Sequence, residues 1–89
     1  MAHITVRFPL EGIMAANPVT WRHALEDRLE PLVAAHGGTI NGGGTGLGYT
    51  EIEIDGPVAL GRTIAGWLRA NVADLPAGTI IEAGRRFTV

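Results

Sequence analysis

The chain has 89 residues, 46% apolar, and a formal net charge of −2. That length makes one domain that buries roughly 60–65% of its unfolded surface on folding. The charge argues against a nucleic-acid partner, which selects a basic face. No apolar run approaches the ~20 residues of a membrane helix, and MAHITVRFPL lacks the basic-then-apolar pattern of a signal peptide. The expected compartment is the cytoplasm.

Missing residue types exclude further chemistry. Serine, cysteine and lysine are all absent. Serine and cysteine nucleophiles, a Schiff-base lysine and a P-loop lysine are therefore ruled out. Disulfides and thiolate metal sites go with the cysteines. All seven basic residues are arginine, scattered except for Arg85-Arg86.

HITVRF (3–8) alternates. Ile4, Val6 and Phe8 fall on one face; His3, Thr5 and Arg7 fall on the other. This is the pattern of a half-buried strand. PLEGIMAA reads as a loop. Asn17-Pro18 then reads as a helix cap followed by a proline at the first helical position. Trp21, Leu25, Leu29, Leu32 and Val33 share one helical face. Pro31 predicts a kink or break near Glu30, because it cannot donate to the carbonyl of Asp27. His36-Gly37-Gly38 ends the helix.

Thr39-Ile40-Asn41 reads as a short second strand. Five of the seven residues from Gly42 to Gly48 are glycine, which reads as a turn or bulge. YTEIEID (49–55) alternates again, with Ile52 and Ile54 opposite Glu51, Glu53 and Asp55. Asp55-Gly56-Pro57 predicts the start of a second helix, carrying Leu60, Ile64, Trp67, Leu68 and Leu75, with Arg62 and Arg69 on its solvent side. LPAG (75–78) stops it and GTIIEA (78–83) is a further strand. RRFTV (85–89) continues that strand or folds back as a short extra one.

The order β-α-β-β-α-β predicts an α+β, ferredoxin-like split βαβ domain over residues 1–89. Two helices would cover one face of an antiparallel sheet and meet Ile4, Val6, Phe8, Ile52, Ile54 and Ile81. The other sheet face would stay open.

The glycine run is no phosphate cradle. No register of it places three glycines at G-x-G-x-x-G, there is no lysine, and a strand follows where both phosphate motifs need a helix N-terminus. No cofactor motif is present. The candidate binding residues are Tyr49, Glu51, Glu53 and Asp55, with Arg7 adjoining. Their period-two spacing makes an acidic strip suited to basic groups of a protein partner. With His3 the strip is also half of a carboxylate metal site, but it offers too few oxygens for calcium or magnesium, so no metal is expected. Charge reversal at Glu51 and Glu53 is expected to leave stability nearly unchanged. His23 and Asp27, four apart, are helix neighbours. His36 suits a helix C-terminus. Arg85-Arg86 either pair with acidic groups or protect an edge strand.

GGGTGLGYTEIEID followed by a helix and PAGTIIE resembles small uncharacterised bacterial ferredoxin-like proteins, over about half the chain (41–55 and 76–82). Some small acidic proteins of that fold are immunity or inhibitor proteins that neutralise toxin enzymes. The resemblance implies a protein partner and carries over no catalytic residue. The expected function is a non-enzymatic protein-binding module that uses the open sheet face and the glycine hairpin. One alternative is a homodimer packing through that face with Ile80. Another is a small enzyme using His3 and a carboxylate.

Overall fold

The computed structural model describes residues 1–89. The chain forms β1 (Ala2–Pro9), a 3-10 turn at Leu10–Gly12, α1 (Pro18–Ala35), β2 (Thr39–Gly46), β3 (Tyr49–Gly56), α2 (Leu60–Asn71), β4 (Ile80–Ala83) and β5 (Arg85–Thr88). Five strands make one sheet in the order β2-β3-β1-β4-β5, and every neighbouring pair is antiparallel. This α+β architecture is consistent with the ferredoxin-like class. Of the two readings of RRFTV, folding back is realised: Gly84, at φ +79°, reverses the chain into β5. No helix is long and apolar enough to cross a membrane.

β1 is the central strand. Its Ile4 and Val6 lie opposite Ile54 and Ile52 of β3, and Val6 also faces Ile81 of β4. All five are fully buried, as is Phe8. α1 adds Leu25, Leu29 and Val33 to this core; α2 adds Leu60, Ile64, Ala65 and Leu68. Trp21 packs edge-on to Phe8, ring centroids 5.2 Å apart. Burying each large side chain contributes about 1.5–3 kcal/mol, so this one layer supplies most of the driving force.

α1 has the expected ends. The Asn17 side chain accepts hydrogen bonds from the backbone N–H of Val19 and Thr20, at 3.0 and 3.2 Å. At the far end Gly37, at φ +77°, lets Gly37 N–H reach Ala34 O and Gly38 N–H reach Val33 O. That pair of bonds is the Schellman closure. Between these ends the helix runs unbroken through Pro31, contrary to the predicted break. Leu29 and Val33 are both anchored in the core, and their burial offsets the ~3 kcal/mol that an interior proline removes.

Two further expectations change. Asp55 and Gly56 do not cap α2. They stay in β3, paired with His3 and Ala2 of β1, and α2 begins at Leu60 without a side-chain cap. Leu75 lies beyond the end of α2. The glycine run is mostly not a turn: β2 continues through it to Gly46, with a bulge between Ile40 and Gly42. Only Leu47 and Gly48 form the turn, at φ +54° and +86°. Two positive φ values at a two-residue hairpin loop are the type I′ pattern, whose twist matches that of the strands.

One glycine of β2, Gly43, has a packing reason the pattern did not disclose. Arg22 of α1 points under β2 and is 7% exposed. Its guanidinium donates to Thr50 Oγ1 and Thr45 Oγ1, both at 3.4 Å, and to His23 Nε2 at 3.1 Å. A Cβ on Gly43 would lie 3.3 Å from Arg22 Nη1 and 2.3 Å from the Glu51 carbonyl oxygen. A Cβ on Gly44 would meet nothing within 4 Å. The two neighbours therefore predict opposite outcomes. Gly43→Ala is expected to lower unfolding stability by about 1–3 kcal/mol, as overpacking does. Gly44→Ala is expected to be neutral or to stabilise by up to about 1 kcal/mol through the unfolded chain. Urea unfolding of both variants measures the difference; equal losses would contradict this packing.

Candidate binding surface on the open sheet face and hairpin tip

Alternation in β1 and β3 sends His3, Thr5, Arg7 and Pro9 to the uncovered face, opposite Asp55, Glu53, Glu51 and Tyr49 respectively. All five candidate residues, Arg7, Tyr49, Glu51, Glu53 and Asp55, thus share one surface. β4 brings Ile80 and Glu82 to the same face beside Arg7 and Thr5.

The acidic strip is internally paired. Arg7 Nη2 donates to Glu51 Oε2 at 3.3 Å, and its Nη1 lies 3.7 Å from Glu82. The same guanidinium stands 5.4 Å over the Tyr49 ring, a cation–π contact. Arg86 reaches Glu82 through Nη2 at 2.8 Å. Thr5 Oγ1 donates to Glu53 at 2.9 Å, and the Asn41 side chain, turned by the bulge, donates to Asp55. His3 lies between two carboxylates, its Nε2 2.5 Å from Glu53 and its Nδ1 3.2 Å from Asp55. Reversing Glu51 and Glu53 would therefore set new cations against Arg7 and His3, a cost that exposed pairs of this kind keep small.

These carboxylates hold the His3 imidazole above its ordinary value of 6.5. The hydrogen bond to Asp55 contributes most, then that to Glu53; direct charge attraction adds to both and desolvation opposes them. His3, Glu53 and Asp55 stand on an exposed strand surface and line none of the molecule's cavities. His23 bonds to Arg22, and no hydrogen bond or ion pair joins it to Asp27. His36 Nδ1 bonds to the Leu32 carbonyl at 2.9 Å, at the end of α1.

The sequence reading overlooked Leu47. It sits at the hairpin tip, fully exposed, in left-handed backbone. That conformation costs a side-chain-bearing residue about 1–2 kcal/mol, and type I′ turns select asparagine, aspartate or glycine there. Beside it an open cavity of about 690 Å³ is lined by Pro9, Leu10, Tyr49, Ala77 and Ile80. The Leu10 amide, bonded to Gly48 O at 2.9 Å, fixes the tip against the start of the 3-10 turn. A single apolar residue isolated between glycines was the only sequence signal for it.

No family model matches the chain, and no curated protein or solved structure matches it either.

The His3 geometry carries a pH dependence. A raised folded-state value means that the ion pairs contribute fully below about 6.5 and fade as pH rises through the folded-state value. NMR titration of His3 is expected to give a midpoint above 6.5, lowered by Asp55→Asn and by Glu53→Gln. A midpoint at or below 6.5 would show that these contacts do not persist in solution.

Proposed function

We propose that this chain is a non-enzymatic protein-binding module whose anchor is the apolar hairpin tip and whose polar surround is the open sheet face. Its concrete form is an inhibitor or immunity-type protein acting in the cytoplasm. The strand order supports a ferredoxin-like split βαβ unit formed by β1 to β4, with β5 added at the edge. The observation that carries the functional reading is Leu47: a fully exposed aliphatic side chain in backbone that disfavours it. Strain of this kind persists where function selects it. Binding energy concentrates in side chains that become buried in a partner's pocket, and a groove with apolar lining stands beside this one.

The paired charges on the neighbouring face suit a supporting role. Their order along the strands fixes the partner's orientation and the encounter rate more than the affinity. Arg7, Tyr49, Glu51, Glu53 and Asp55 are assigned to that rim. A second copy is the alternative partner. It is favoured by Ile80 and Tyr49, half-buried or exposed beside charges already neutralised within the chain.

Leu47→Asn separates fold from function. It is expected to leave thermal stability unchanged or raise it, because asparagine tolerates the left-handed conformation. It is expected to weaken binding to the partner recovered by affinity purification by about tenfold or more, as loss of an anchor does. Calorimetric titration gives the affinity, and light scattering shows whether the partner is a second copy. Unchanged affinity for every recovered partner would remove the tip from the site.

A further inference from the structure

The two edges of the sheet are built differently. β5 is four residues long and carries Arg85 and Arg86, charges of the sort that keep an edge from pairing. β2 is eight residues long and holds neither a charged residue nor a proline. Its residues from Asn41 to Gly46 are all exposed, so no side chain hinders an approach to its outer row of amides and carbonyls. Alternation from the hydrogen-bonded pair that closes the hairpin, Gly46 with Tyr49, points the amide and carbonyl of Gly43 and Thr45 outward.

α1 runs alongside this edge, and between the two lies a groove of about 560 Å³. Glu26, Asp27 and Glu30 line its helix side; Thr39, Ile40 and Asn41 line its strand side. Asp27 and Glu30 are exposed and engage no cation within the chain, while Glu26 stands 3.9 Å from Arg22. A strand added at β2 would lie about 4.8 Å beyond it, and alternate side chains would point into the groove.

We infer that β2 and α1 together form a docking groove for an extended segment of another protein with basic side chains at alternate positions. Backbone pairing to β2 supplies the affinity, and the α1 carboxylates select the basic side chains. Charge decides against the symmetric occupant. A two-fold β2–β2 pairing would set the acidic helix of one copy against that of the other, and like charges across an interface oppose association. This surface lies at the sheet edge and does not depend on the Leu47 reading.

The test titrates a fluorescent eight-residue peptide of alternating arginine and valine, matched to the length of β2, into the full chain, with its glutamate–valine counterpart as control. The expected result is saturable binding of the basic peptide alone, with slowed amide exchange at Gly43 and Thr45. Asp27→Lys with Glu30→Lys, checked for fold by circular dichroism, is expected to weaken it about tenfold. Leu47→Asn is expected to leave it unchanged, so failure here and failure at the tip are distinguishable. No saturable binding, equal binding of both peptides, indifference to the helix variant, or exchange changes confined to the open face would each overturn the proposal. Protection of the same amides by self-association without peptide would overturn it in favour of a second copy.

Discussion

The alternation of β1 is the constraint on which the molecule rests. Ile4, Val6 and Phe8 are fully buried while His3, Thr5 and Arg7 face the other way. β1 is paired on both sides, by β3 and by β4, so its register sets theirs. A slip of one residue would exchange the two sets and place an arginine beneath the helices. The same choice that makes the core assembles the polar ladder on the opposite face. Core and candidate surface are two sides of one decision.

Arg22 extends that decision to the edge of the sheet. A guanidinium 7% exposed is expensive to bury, and its Nε has no hydrogen-bond partner. Its contacts to Thr45 and Thr50 are long, and the two hydroxyls bond each other at 2.8 Å. What the site does provide is room: Gly43 leaves the space above it. Gly43 is thus the upper wall of a cation's niche, the one position of the run where a side chain would collide with Arg22 and the β3 backbone. A stretch that looks like a phosphate loop by composition is an edge strand instead: it pairs with β3, and the helix N-terminus that a phosphate motif needs does not follow it.

The surface divides its roles by chemistry. On the open face nearly every charge already has a partner within the chain. Arg7 bridges Glu51 and Glu82, and His3 bridges Glu53 and Asp55. Such exposed pairs add little stability individually. They do keep the side chains ordered and the face nearly neutral. At the tip the situation reverses: Leu47 has no apolar neighbour covering it, and the adjoining cavity is lined largely by apolar groups. A polar, pre-ordered rim beside an uncovered apolar point is the arrangement on which the proposed binding role rests.

The α+β class, the two helices, the identity of the buried strand residues and the grouping of the five candidate residues on one face were legible in the sequence. Each follows from local periodicity: period two fixes which side a strand residue faces, and period near 3.6 fixes a helix stripe. The continuity of α1 through Pro31, the late start of α2 and the length of β2 were not legible. In each case a local signal was outweighed by contacts far away in the chain: core burial of Leu29 and Val33, pairing of Asp55 with β1, and the β2–β3 ladder. Arg22 did fall on the buried stripe, three before Leu25, but nothing local says that a charged residue there turns inward. The sequence by itself determined which faces are apolar and which are polar, because that depends only on neighbours along the chain. Only the tertiary structure decided which charges are satisfied, which apolar residue stays bare and which sheet edge stays free, because those depend on what the fold brings alongside.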